Sequence, residues 1–553
     1  MDSGGLTLSC QFIDLDLGGN QVVLHADDAE EIGVHPQHRV HVRFGDESLV
    51  AVVDTTSSVV EPGRIGVFPG VADDLGLEAD AQLEVQPAEK PESVEFIRKK
   101  MNGRELDTDE IARLVEDMVQ GSLTDIELSA YVTSVEIHDM NIRETTDLTR
   151  SMVETGEVID FHDPMIFDKH SIGGVPGNKI TLLVVPIAAA AGLPIPKTSS
   201  RAITGAAGTS DVMEVFCDVK LTAERIRSIT NDVGGVMAWG GAVNLAPADD
   251  IIIRVEHPLS LDPRSLLLAS VMAKKRAVGA KHVVIDIPMG PGSKIATMEE
   301  AKSLARDFIA LGDRLGMQVE CAITYGGQPV GKTVGPALEA NEALRALRGD
   351  PDVPESFTKK ATAIAGILLE MGGLARRGRG QQEAQRLLED GSALETFSEI
   401  VQAQGGPEPE LQPVGDHTWE LVADKDGYVA GVGNRDIVAI TRSLGAPKVK
   451  GAGVELPKKE GDSVEEGETL LKLYAESEYK LEAARKLATS KDPVTVEGML
   501  LERVPEFREI GDEPSGPGPD PSADGNGGIR QVAPEADDDN EADTEAETAA
   551  DGS

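Results

Sequence analysis

Apolar and polar positions follow three rhythms along the chain, and each change of rhythm marks a boundary. Residues 1 to about 86 alternate short apolar strand runs with single acidic turns. Within them VVLHADDAEEIGVHPQHRVHV (22–42) is echoed by IGVFPGVADDLGLEADAQLEV (65–85). Each copy reads strand, one acidic helical turn ending at Gly33 or Gly76, then strand. Two such units cover apolar surface that each alone would expose, so the pattern predicts a small pseudo-symmetric β-barrel-like domain over 1–86. It carries no catalytic pattern and reads first as a docking module, with assembly or substrate gating as the functional alternative.

The polar, Pro-containing segment QPAEKPES (86–93) reads as a linker, and helical periodicity then runs over about 94–156. Start signals punctuate it: Thr108 ahead of Asp109 and Glu110, Thr124 with Glu127 as a capping box, and Asn141 with Glu144. From about 160 to 411, apolar strand runs such as PMIFDKHS, LPIPKTSS and KHVVIDIP alternate with Gly-rich turns and Ala-rich helices. That is the grammar of a large α/β domain with a mixed sheet. Over 412–500 the chain is strand-rich again, with a closing helix near 477–489, which predicts a C-terminal α+β region. In it VELPKKEGDSVEEGETLLKLYA resembles a lipoyl-like hammerhead without a lysine in an exposed hairpin, and is read as structural. Residues 506–553 lack the apolar surface needed to offset ordering entropy and predict a disordered acidic tail. The fold class is therefore α/β with α+β parts.

Composition sharpens this. A chain of 553 residues exceeds what one core serves, and with aromatics at 3% its cores must be built from small residues. Asp and Glu number 96 against 52 Lys and Arg, a formal net charge of -44. Such a surface excludes nucleic acid as a partner, because binding a polyanion needs clustered cations. Its self-repulsion is screened where the Debye length falls to about 3 Å near molar salt, which suggests a salt-adapted, halophilic protein. Cys10, Cys217 and Cys321 stand in no metal-ligand or disulfide spacing. The start MDSGGLTL lacks a basic leader and no apolar run is long enough for a membrane span, so a cytoplasmic protein is expected.

Candidate chemistry concentrates in three Gly-rich turns, 171–179, 200–211 and 289–294, each following a strand and leading to a helix. Glycines allow close backbone approach to an anion, and the helix start beyond supplies unpaired N–H groups. One such turn only closes a strand-to-helix connection. Three of them, with Lys169, Arg201 and Lys294 alongside in so acidic a chain, predict a phosphate site.

The runs FIRKKMNGRELDTDEI (96–111), HDM (138–140), DKHSIGGV (168–175), SSRAITGAAGTSD (199–211), LAPADD (245–250) and SVMAKK (270–275) resemble the thymidine phosphorylase family over about 94–500. The added N-terminal domain and the loop SRAITG are similar to the archaeal AMP phosphorylase branch, whose reaction is AMP plus inorganic phosphate to adenine and ribose 1,5-bisphosphate. Two departures, Ser199-Ser200-Arg201 for the family's Ser-Gly-Arg and Ala206-Ala207-Gly208-Thr209 for its Thr-Gly-Gly-Thr, put thymidine in doubt as substrate. The resemblance implies a helical domain built from 94–156 plus 247–280, an α/β domain built from 160–246 plus 281–411, and a cleft between them. It marks Gly174, Ser200, Arg201, Ala202, Ile203, Thr204, Gly205, Thr209, Ser270 and Lys294 as positions binding AMP and phosphate. Lys169, His170 and Ser171 resemble phosphate and nucleoside contacts of the wider family. No metal or organic cofactor is implied, inorganic phosphate being a co-substrate, and a homodimer or higher homo-oligomer is expected.

Asp262 carries two readings. From spacing, Asp262-Pro263 is an N-cap and first-turn pair for a helix over 263–277. The resemblance makes Asp262 the acid that protonates departing adenine. A pyrimidine nucleoside phosphorylase and a non-catalytic scaffold are the competing functions. An anthranilate phosphoribosyltransferase has a related architecture, but no paired carboxylates for metal-bound pyrophosphate are recognisable.

Overall fold

The computed structural model describes residues 5–15, 17–161, 165–202 and 205–500; Ile203, Thr204 and the segment 506–553 lie outside the described residues. Six strands, β1 (Leu6–Phe12), β2 (Gln21–His25), β3 (Arg39–Phe44), β4 (Glu47–Thr56), β5 (Arg64–Val67) and β6 (Gln82–Ala88), close a barrel in the order β1-β5-β2-β4-β3-β6. The sequence repeat appears as a pseudo-twofold. Exchanging β2 with β5, β3 with β6 and β4 with β1 maps the parallel pair β2·β4 onto β5·β1 and the antiparallel pair β3·β4 onto β6·β1. Gly33 and Gly76, at φ 71° and 60°, end the two equivalent helical turns where a side chain would be strained. The buried Arg39 ties the barrel to the next region, donating from Nε to Ser122 O at 2.8 Å and pairing with Glu127.

Helices Ser93–Met101, Thr108–Val119, Asp125–His138 and Ile142–Glu154 follow, and helices Pro247–Leu259 and Arg264–Ala277 pack onto them from later in the chain. The connecting segments run side by side, with Glu157 N donating to Asn244 O at 3.0 Å and Ile159 N to Ala277 O at 2.8 Å. Capping boxes at Thr124/Glu127 and Asn141/Glu144 form as the sequence suggests. Two caps differ from expectation. Asp107, not Thr108, caps its helix in a box with Glu110, because the Thr108 hydroxyl instead donates to Asp147. Pro263 is the N-cap of Arg264–Ala277, and no side chain caps that helix; the expected helix over 263–277 capped by Asp262 is corrected by one residue.

In the α/β region β7 (Phe167–Ser171), β10 (His282–Met289) and β11 (Gln318–Tyr325) form a parallel sheet in the order β11-β10-β7, and β8 (Ile195–Ser199) pairs parallel with β9 (Gly235–Trp239). The run HVVIDIPM is apolar on both faces because helices cover both. Val283, Ile285 and Ile287 point into the core shared with the helical region, and Val284 into the opposite core under helix Thr181–Ala190. Antiparallel pairing enters through β12 (Thr333–Val334), which joins strand Gly453–Glu455 of the C-terminal region. That region also grips the segment before β12: Lys459 Nζ donates to Pro329 O and Gly331 O at 2.6 and 2.8 Å, and Asn434 Nδ2 to Gly326 O at 2.9 Å. Among the described residues no helix is long and apolar enough to cross a membrane.

Candidate active site

The first turn, 171–179, leaves β7 and enters helix Thr181–Ala190. A buried ammonium pins its far end. Lys179 Nζ donates to Gly177 O, Val330 O and Thr333 O at 3.0, 3.0 and 2.8 Å and lies 2.8 Å from Glu342 Oε2. Burying a charge is tolerable only with this degree of satisfaction. Gly174 sits at φ 100°, and a Cβ there would lie 2.8 Å from Lys294 N. Glycine therefore lets the third turn seat directly against the first.

Beneath the first turn lies a cluster of lysines. Lys275 Nζ is 2.7 Å from Asp168 Oδ2, and Lys197 Nζ donates to Lys169 O and Thr198 O at 2.9 and 2.8 Å. Lys169 Nζ donates to Ser171 Oγ at 3.0 Å. Burial, with Lys360 and Lys275 adding to it and Asp286 and Asp168 opposing, lowers the Lys169 ammonium to about 7. Burial together with Lys275, Lys197, Lys169 and Lys274 holds His170 well below its usual value, so it is neutral at pH 7.

The second turn, 200–211, is organised by Asp211, whose Oδ2 accepts from Ala202 N at 2.7 Å and Gly208 N at 3.0 Å. Arg201 gives Nη1 to Glu214 Oε2 at 2.7 Å, lies 3.3 Å from Asp211 and stacks at 4.9 Å on the Trp239 ring. Lys450 reaches the same Glu214 at 2.7 Å. Arg201 is thus held by carboxylates rather than pointing free. Thr209 Oγ1 donates to Thr181 Oγ1 at 3.5 Å, joining this turn to the helix that follows the first. Ser200 is exposed, and Ala202 and Gly205 are half-buried beside it.

The third turn brings Lys294 into an ion pair with Asp262, at the entry to helix Arg264–Ala277. Ser270 sits half-buried two turns further along that helix, with no hydrogen bond to the turns among the described residues. Near this pair, burial pushes the Glu256 carboxyl up to about 8, with Asp262 and Asp249 adding to the rise. At neutral pH Glu256 carries a proton.

Gly174, Lys294 and Asp262 therefore meet, and the Thr209 turn joins the first turn through Thr181. Sequence reasoning passed over Asp286, Lys197, Lys275, Lys360, Asp211 and the pair Lys179–Glu342. Two of these left a signal: Lys197 interrupts the apolar strand LPIPKTSS, and Lys360 shares the buried helix face of Phe357, Ile364 and Leu368.

Residues 163–394 match the model of the glycosyl transferase family a/b domain, 94–156 its helical bundle domain, and 428–492 the pyrimidine nucleoside phosphorylase C-terminal domain. AMP phosphorylase 1 of Archaeoglobus fulgidus is 54% identical over 484 residues, covering 87% of this chain and 95% of that one. The AMP phosphorylase of Methanosarcina barkeri is 50% identical over 504 residues, 90% of this chain and 99% of its own. The chain belongs to the AMP phosphorylase family. A third member, from Thermococcus kodakarensis, is 50% identical over 497 residues, with 89% and 98% covered. A solved anthranilate phosphoribosyltransferase from Thermus thermophilus covers 56% of this chain and 99% of its own at TM-score 0.48 and 18% identity. The AMP phosphorylase match runs through every turn described above, and the C-terminal domain match includes Asn434, Lys450 and Lys459.

Proposed function

We propose that this chain catalyses phosphorolysis of AMP. Inorganic phosphate attacks C1′ of the ribose, the bond to adenine breaks, and adenine leaves with a proton from Asp262, giving ribose 1,5-bisphosphate. The observation that carries the reading is the Asp262–Lys294 pair seated on Gly174, an acid held at the edge of an anion-binding turn. A phosphate group that draws Lys294 to itself frees the Asp262 carboxylate, which takes up the proton the attacking phosphate gives up as its oxygen bonds to C1′ and passes it to the leaving base. Lys169, oriented by its bond to Ser171, and the backbone of the first turn supply further contacts for phosphate oxygens. This reading assigns no cofactor, inorganic phosphate being the co-substrate. The net charge of -44 supports a salt-adapted cytoplasmic protein, and we read it as a homodimer or higher homo-oligomer.

The test is a panel of AMP, other nucleoside monophosphates, adenosine, uridine and thymidine, each with and without phosphate, with free base as readout. Adenine should be released from AMP only with phosphate present. Adenosine should be much the poorer substrate, since its missing 5′-phosphate leaves cationic groups unpaired. Equal release without phosphate would mean hydrolysis, and preferred cleavage of uridine or thymidine would favour the pyrimidine nucleoside reading that the C-terminal domain match keeps in play. Gly174→Ala should lower kcat/KM roughly 10²-fold by pushing the first and third turns apart, a displacement near 1 Å being enough for that. Wild-type kinetics in that variant would show that the two turns need not touch.

A further inference from the structure

Asp286 lies at the centre of β10 and is wholly buried, yet three other elements converge on it. Ser171 Oγ donates to its Oδ2 at 2.8 Å, Thr324 Oγ1 donates to its Oδ1 at 2.5 Å, and Lys360 Nζ from helix Glu355–Met371 lies 3.3 Å from Oδ2. Ser171 spends its only proton on Asp286, so its oxygen accepts from Lys169 Nζ at 3.0 Å. The network therefore runs from Lys169 through Ser171 to Asp286, with Lys360 closing it from the other side. It ends at Ser171, where the Gly-rich turn begins.

Lys360 is the anomaly in this network. Its side chain is only 9% exposed, and its Nζ has Asp286 Oδ2, 3.3 Å away, as its one counter-charge, with no well-directed hydrogen bond among the described residues to spend its donors on. A lysine with a flexible stem ordinarily turns its ammonium to water, and leaving donors buried and unspent is costly. The surroundings deepen the imbalance: Lys275 pairs with Asp168 and burial holds Lys197 well below its usual value, so Asp286 alone faces both Lys169 and Lys360. Cations in excess in a buried site call for an anion.

We propose that Lys360 is the second cation of the subsite that takes the attacking inorganic phosphate, paired with Lys169 across Asp286. This rests on the phosphorolysis reading and assigns one of its two phosphates. The dianion neutralises the excess charge and accepts the donors that Lys360 leaves unspent. Lys360 comes from a helix outside all three Gly-rich turns.

The pH dependence gives a readout that packing alone would not move. Around Lys169 stand Asp168 on its own strand, Asp286 on β10, Lys275 on helix Arg264–Ala277, Lys197 on β8 and Lys360. Its folded value is lowered to about 7, so its cation, and with it phosphate affinity, is present below that pH and lost above it. Removing the repulsive Lys360 raises that value, so the alkaline limb should move to higher pH.

The experiment uses the full chain, with Lys360→Met and Lys360→Gln, varying phosphate at saturating AMP and the reverse. The expected result is a phosphate KM raised at least about tenfold, an AMP KM within about twofold, and an alkaline limb of kcat/KM for phosphate displaced upward. A phosphate KM within about twofold of wild type, an equal rise in both constants, or an unmoved limb overturns the proposal. Should Lys360→Met fail to fold, Lys360→Gln decides by the same criteria, since it keeps a polar contact to Asp286 without the charge. Failure of wild type to consume AMP with phosphate would sink the phosphorolysis reading itself. Calorimetric titration of wild type and Lys360→Gln with inorganic phosphate alone then decides the role of Lys360: weaker binding in the variant upholds it, and equal binding overturns it.

Discussion

Asp262→Asn is expected to lower turnover roughly 10²-fold or more while AMP binding and the melting temperature stay near wild type. Adenine is a poor anionic leaving group, and a positioned acid lowers the barrier by supplying its proton. Asn preserves shape and donates no such proton. Stability should hold for two reasons. Helix Arg264–Ala277 takes Pro263 as N-cap and makes no capping bond to Asp262. The ion pair lost to Lys294 is between groups 31% and 43% exposed, and such pairs contribute about 0–1 kcal/mol. Steady-state rates and calorimetry on one preparation test both halves. If turnover persisted, the acid would have to be found elsewhere, and Glu256 is the first place to look because its carboxyl stays protonated up to about pH 8. His170 is excluded as a cationic donor, being neutral among its lysines.

The second large effect concerns stability. Lys179→Met should cost about 3–5 kcal/mol, the usual penalty for leaving one charge of a buried pair alone. Burial pushes the Glu342 carboxyl up, yet Lys179 and the Thr333 hydroxyl hold it below its usual value. Methionine leaves that carboxylate without its cation and three carbonyl oxygens without their donor. Denaturant unfolding reads the loss. Adding Glu342→Gln to Lys179→Met should recover part of it, since the orphaned charge goes with the second change. A single variant as stable as wild type would mean that the ammonium adds nothing net to the fold.

These residues also show where the sequence is legible. The barrel can be read because its halves repeat, and the three turns because glycine, strand and helix signals are local. The capping boxes at Thr124 and Asn141 are equally local. Spacing alone makes Asp262 a cap, but Lys294, 32 positions away, competes for its carboxylate, and the pattern along one helix cannot show that. Thr108 loses its cap to Asp107 by a similar diversion, its hydroxyl going to Asp147. The buried pairs Lys275–Asp168 and Lys179–Glu342 join residues more than a hundred positions apart. Their partners emerge only when the sheet brings them together.

The grip of Lys459 on Pro329 and Gly331 bears on the order in which the protein can be made. All six barrel strands lie within the first 88 residues, so that unit can close soon after it leaves the ribosome. The first Gly-rich turn has no such independence. Lys179 rests on Val330 and Thr333, and the segment that carries them is held at Pro329 and Gly331 by Lys459 of the C-terminal region. At synthesis rates of roughly 5–20 residues per second, the turn at 171–179 waits some tens of seconds between its own appearance and that of residue 459. During that interval a buried lysine and glutamate have no finished pocket, and the nascent chain must keep its half-built sheet from other chains.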